Sequence, residues 1–198
     1  MAIVVEHEKR RHEILEKALD VFMTEGFDDV TFQKIADRCG ITRTTLYIYF
    51  KNKRDIFNYS IKQLLEGLED AITRIRNIKG LSHKKQLIQV MTVILDRFEE
   101  NARLLTVVLS YLSYLTKSDH DPDYRVRRRT VRLRHFLNAI LIEGIRAGDF
   151  AKVNVKEANE ALYGILEAAV FRLTTLHHKD VKELKKAMVM VVSRFTVK

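Results

Sequence analysis

The residues best suited to chemistry in this chain lie close together. The segment ITRTTLYIYFKNKRDIF, residues 41–57, holds Thr42, Thr44, Thr45, Tyr47, Tyr49, Arg43, Lys51, Lys53 and Arg54, with no acid before Asp55. An arginine presents paired donors to guanine, and a threonine methyl can touch thymine. Tyrosine hydroxyls and lysines suit phosphate oxygens, which place a protein on DNA without reading its sequence. Between Thr31 and Arg54 the basic residues Lys34, Arg38, Arg43, Lys51, Lys53 and Arg54 face Asp37 alone, while Glu13, Glu16, Asp20, Glu25, Asp28 and Asp29 lie upstream. A basic face beside an acidic one suits a polyanionic partner.

Helices must hold these groups. Few breakers and many Leu, Ile, Lys, Glu and Arg indicate an all-α chain: 198 residues contain one Pro, seven Gly and no Trp, and 46% are hydrophobic. Ile14, Leu15, Ala18, Leu19 and Phe22 follow helical spacing up to a stop at Gly26. Thr31 caps a short helix bearing Phe32, Ile35, Ala36 and Cys39, which Gly40 ends in the left-handed conformation. Thr42 caps the next, buried through Leu46 and Phe50. Asn52 caps a fourth helix, with Asp55 favouring its start, that runs through Ile56, Ser60, Leu64, Leu68, Ile72 and Ile75 to Asn77. Two short helices joined by a glycine turn form a helix-turn-helix, whose second helix enters the major groove.

The same residues resemble the TetR family of bacterial regulators. The pattern is carried by Phe22, Gly26, Phe27, Thr31, Ile35, Ala36, Gly40, Ile41, Thr42, Leu46, Tyr47, Tyr49, Phe50 and Lys53. Thr44 stands where the family often has Gly or Ala, and Tyr49 replaces a common His. The resemblance covers residues 8–68. It implies an N-terminal three-helix DNA-binding domain over 8–68, with its motif at about 31–50, and a larger C-terminal ligand-binding and dimerisation domain over 69–198. It further implies a homodimer on a double-stranded palindromic operator, most often a repressor, released by a small-molecule effector. The other possibility is a DNA-binding regulator without such a ligand, controlled by a protein partner. The DNA-binding residues expected are Thr31, Thr42, Arg43, Thr44, Thr45, Tyr47, Tyr49 and Lys53.

The remainder is read from pattern alone. Leu87, Met91, Ile94, Leu95 and Phe98 share one helix face, and residues 102–115 are apolar nearly all round, which predicts burial at the centre. Pro122 is expected to start a long helix with Leu133, Phe136, Leu137, Ile140, Leu141 and Ile145 on its buried side. Two last helices follow, over 155–177 and 180–195. The run AMVMVV, Ala187 to Val192, is too apolar for a helix with one side in water, so its second face needs a partner. The resemblance implies the other subunit, paired through the last two helices in a four-helix interface, and the alternative is one more core helix of the same chain. Candidate ligand contacts are Met91, Phe98, Tyr111 and Tyr114 as wall, with Arg97, His135, Asn138 and Glu167 as polar groups.

Net charge is +9, and six arginines crowd residues 125–134 without an acid. That cluster fits a solvated helix face, pairing across a subunit boundary, or an acidic ligand. The lone Cys39 rules out an internal disulfide and fits a small core residue in a reducing compartment. No nucleophile turn, phosphate loop or metal-ligand spacing is present, so no enzyme, cofactor or metal is expected. No apolar run reaches the roughly 18 residues of a membrane span, and no signal-peptide order appears, which places the protein in the cytoplasm.

Overall fold

The computed structural model describes the backbone of residues 2–117 and 124–196, with side chains outside the description at 2–5, 64, 66, 114–117 and 124–130. It is all helical over that range: α1 (Ala2–Asp29), α2 (Phe32–Cys39), α3 (Arg43–Tyr49), α4 (Lys53–Arg76), α5 (His83–Glu100), α6 (Ala102–Lys117), α7 (Tyr124–Ala147), α8 (Val155–Thr174) and α9 (Lys182–Arg194). Among the described residues the only β feature is a bridge between Phe150 and Thr196.

Two compact units emerge: Met1–Leu65 with Arg103–His120, and Glu66–Ala102 with Asp121–Lys198. The sequence places the division at 68/69, so the difference is α6. Its Leu104, Val107 and Tyr111 are buried in the same core as Ile14, Phe22, Phe27, Leu46, Phe50 and Phe57. The N-terminal unit is thus built from two stretches of chain. Burial along α6 follows one stripe rather than the whole helix, since Leu109 stays 37% exposed.

The first helix does not simply stop at Gly26. At φ 78° and ψ 160° Gly26 breaks the helix, and a last turn continues to Asp29. That turn seats Phe27 between Phe22 (ring centroids 5.4 Å apart) and Phe57 (5.5 Å). Helix α4 starts with a reciprocal cap: the Asp55 backbone N–H donates to Asn52 Oδ1 (2.9 Å), and the Lys51 N–H donates to Asp55 Oδ2 (3.0 Å).

The upper part of α1 is held to α4 by a polar–aromatic cluster. Tyr59 donates its hydroxyl to Glu8 Oε2 at 2.6 Å, and the Arg11 guanidinium lies 4.2 Å from the Tyr59 ring centre and 5.0 Å from that of Phe50. Burial, with the Glu8 hydrogen bond next, pushes the Tyr59 phenol up to about 12 from its ordinary 10. The neutral phenol therefore stabilises the fold fully below the unfolded value near 10, and that contribution is lost as pH rises through about 12. Alkaline unfolding followed by circular dichroism should show a loss across this window that Tyr59→Phe lacks.

In the C-terminal unit α5 is central and packs against α7, α8 and α9. Its core holds Leu87, Met91, Ile94, Leu137, Ile140, Leu141, Leu162, Leu166, Met188 and Val192. Ser82 caps α5 through the Lys85 N–H (3.4 Å), and Asp149 Oδ2 accepts from both the His83 N–H (2.8 Å) and faces its Nδ1 (2.7 Å). These bonds hold the Asp149 carboxyl below its usual range, the backbone donor contributing most. The expected start of α7 at Pro122 lies outside the described residues. Helix α8 ends at Thr174 rather than His177, with Thr175 as its C-cap and His177 in left-handed backbone at φ 52°.

Candidate nucleic-acid interface

Local hydrogen bonding fixes the turn between α2 and α3. Thr31, in extended backbone, accepts from the Lys34 N–H at 3.2 Å and starts α2. Gly40, at φ 67° and ψ 34°, ends it, with the Gly40 N–H donating to Asp37 O and the Ile41 N–H to Ala36 O. Thr42 then caps α3 by accepting from the Thr45 N–H at 3.0 Å, and the two threonine hydroxyls lie 2.8 Å apart. Leu46 (0% exposed) and Phe50 (1%) anchor α3 into the core. One buried ridge therefore aims the rest of a seven-residue helix outward.

On that outer side Thr42, Arg43, Thr44 and Tyr47 are exposed and Thr45 is half-buried. Arg43 donates to the Tyr47 hydroxyl at 3.1 Å, and the Tyr47 ring packs 4.8 Å from Phe32 of α2. The arginine is thus pre-positioned by the tyrosine. An open hollow lined by Gln33, Asp37, Gly40, Ile41, Thr42, Arg43 and Thr45 runs along the junction of the two helices. Exposed Thr31 lies at the N-terminal end of α2, where backbone N–H groups favour an anion.

Two expected contacts point elsewhere. Lys53 Nζ donates to the Phe27 and Asp28 carbonyls, both at 2.8 Å, and sits 5.0 Å from the Phe27 ring centre. It therefore caps the end of α1, using two of the three donors of its ammonium group. Tyr49 is half-buried, with its ring 4.8 Å from that of His7. The basic face is also narrower than the sequence suggests, because Lys34 pairs with Glu25 and Arg38 with Asp20 (3.4 Å). Asp20 pairs with Arg103 of α6 as well, and these arginines hold its carboxyl below the usual range, the Arg103 hydrogen bond foremost.

The ligand candidates do not converge. Met91 is fully buried in the C-terminal core and Phe98 packs beside it. Arg97 pairs with Glu100 at 3.0 Å, while His135 and Glu167 are exposed in the single chain. Tyr111 belongs to the other unit, with ring centroids 4.5 Å from Phe27 and 4.5 Å from Phe57. The Tyr114 side chain and most of the arginine cluster lie outside the described residues. Within that cluster, Arg132 pairs with Glu69 (2.8 Å) and Arg134 with Glu160 (2.5 Å). Asn138 accepts from Asn159 Nδ2 at 2.6 Å. Sequence reading missed Asn159, which is 3% exposed and whose Oδ1 has no hydrogen-bond partner among the described residues; an asparagine at one helical position gives no signal of its own.

The model of bacterial regulatory proteins of the tetR family matches residues 14–59. The chain is a TetR-family transcriptional regulator. The matched stretch runs from the core of α1 through α2 and α3 to Tyr59 of α4. This TetR-family chain is similar to the fatty acid metabolism regulator protein of Bacillus subtilis, 25% identical over 163 residues, 80% of each protein. It shares its fold with a TetR transcription regulator from Haloarcula marismortui, at a TM-score of 0.77 and 20% identity, over 96% of this chain and 100% of that one. It also shares it with the fatty acid degradation regulator FadR from Bacillus halodurans, at a TM-score of 0.71 and 20% identity, over 92% and 94%. Such regulators carry a helix-turn-helix DNA-binding domain and are not enzymes. Among the described residues no helix is long and apolar enough to cross a membrane.

Arg43→Ala in this TetR-family regulator is expected to relax base preference by about 1–3 kcal/mol at the base pair the arginine faces. Tyr47→Phe should weaken binding to all sequences and, by releasing Arg43, also blunt that preference slightly. Competition titrations with single-base variants of a bound site measure both.

Proposed function

We propose that the protein is a homodimeric repressor that binds a palindromic operator through α3 and leaves it when a small molecule occupies the C-terminal unit. The observation that carries the DNA reading is the capped, seven-residue α3, anchored by Leu46 and presenting Arg43, Thr44 and Tyr47 outward. Arg43 and Thr44 take the base-reading role, and Thr31, Thr42, Thr45 and Tyr47 the phosphate or positioning role, while Tyr49 packs against His7. Lys53 acts by fixing the end of α1 against α4.

Dimerisation is assigned to α8 and α9. In the single chain Phe171 (54%), Val189 (40%) and Met190 (61%) are exposed beside buried Leu173, Met188 and Val192. A helix apolar on both sides needs a second cover, and an isologous pairing of these helices supplies it. Two-fold symmetry in the protein then requires two-fold symmetry in the operator.

The effector is proposed to be a small molecule with an apolar body and a polar group, in keeping with relatives named for fatty acid metabolism. Phe98, partly buried against the C-terminal core, offers apolar surface, and Asn159 Oδ1 beside Asn138, without a partner among the described residues, offers an acceptor. An unpaired buried acceptor costs about 1–3 kcal/mol, which a ligand donor would recover. Release follows from linkage: a ligand that prefers the DNA-incompetent dimer shifts the population away from operator. The chain crosses between the units within α4 and again at the start of α6, so both helices are the proposed levers.

The test is a thermal-shift screen of small amphipathic molecules, with hits titrated against protein on its operator. A molecule that lowers operator affinity while the dimer persists supports the reading. Operator affinity unchanged by every molecule that stabilises the protein would contradict it and favour control by a protein partner.

A further inference from the structure

The reading helix carries one side chain that the polar account leaves unused. Ile48 is 67% exposed, more than any other large hydrophobic residue described. Successive helical residues are about 100° apart, so Ile48 lies about 200° from Leu46, on the side opposite the ridge that anchors α3. Thr44 stands one turn before it on the same outward row, and Thr45 flanks it. The centre of the outward face is therefore a branched aliphatic group set among hydroxyls, with Arg43 and Tyr47 at its edge.

Local stability does not account for this residue. A β-branched side chain is a weak helix former, and exposed in water it gains nothing from burial. It also has no donor or acceptor for a phosphate. In the major groove only one base edge rewards such a group: the 5-methyl of thymine, which the other three bases lack.

We infer that Ile48 is a specificity-determining residue that packs on a thymine 5-methyl group in each half-site. The inference rests on the proposal that α3 reads DNA. Desolvating one methyl against an aliphatic side chain corresponds to about a fourfold change in affinity.

The test uses the full-length protein and a site recovered by selection from random DNA. Each thymine of that site is replaced singly by uracil, which removes the methyl and keeps every hydrogen-bonding group. Wild-type protein is expected to bind about fourfold more weakly at one thymine per half-site. Ile48→Ala, at an exposed position where Ala favours the helix, is expected to lose that discrimination, whereas Ile48→Val keeps it. Uracil tolerated at every thymine, or a penalty of equal size in Ile48→Ala, overturns the inference while leaving DNA reading intact. Folded protein that selects no site overturns both.

Discussion

Tyr111→Ala is expected to destabilise the N-terminal unit by about 3–5 kcal/mol, the range for emptying a large aromatic from a core. The ring is 2% exposed and touches Phe27, from the turn after the Gly26 break, and Phe57, from the start of α4. Removing it leaves a cavity where α6 meets the turn after Gly26 and the start of α4. Urea denaturation should show the loss as a lower midpoint. DNA affinity should fall steeply with temperature in the variant, because α3, the helix proposed to read DNA, is anchored in the same core. A cost below about 1 kcal/mol would show that α6 is dispensable to the unit. By the same reasoning the fragment 1–65, which lacks Leu104, Val107 and Tyr111, should be less stable than the whole unit.

Gly144→Ala is the second large effect, and it arises from the opposite fault. A Cβ at position 144 would overlap ring atoms of Phe150 and sit 2.9 Å from His83 Cβ. Phe150 has little room to retreat: it is 2% exposed, its N–H donates to Gly144 O at 3.1 Å, and the next residue donates to Phe195 O at 2.7 Å. His83 is held by its two contacts with Asp149. Overpacking of this kind costs about 1–3 kcal/mol or more. Differential scanning calorimetry should show Tm falling by roughly 2–4 °C for each kcal/mol. Gly67→Ala is the control, since no atom of the described residues lies within 4 Å of its added Cβ; there the substitution should be neutral or stabilising. Equal Tm values for the two variants would contradict the packing described.

These two sites mark where sequence reasoning stops. The helix-turn-helix was legible because its determinants are local. Thr31, Gly40, Thr42, Asn52 and Asp55 each make a bond within four residues of themselves, so spacing alone implies the geometry. The assignment of α6 was not legible, since periodicity shows which side of a helix is apolar but not which core receives it. Lys53 illustrates the same limit: its carbonyl partners lie 26 and 25 residues upstream, and a lysine that caps a helix looks in sequence like one that waits for phosphate. Gly144 gave no sign of the phenylalanine against it. Ile48 falls opposite the ridge of Leu46 and Phe50 in sequence as well, but only the folded chain shows that no neighbouring helix covers it, leaving it 67% exposed.

The central claim is that two copies of α3 read a symmetric site. The most direct test is selection of bound sequences from a random DNA pool at roughly physiological salt, where non-specific phosphate attraction is weakened. The account predicts enrichment of a palindrome whose half-sites are spaced by about one helical turn or a multiple of it. Folded, dimeric protein that enriches no sequence, or a site without two-fold symmetry, would contradict it.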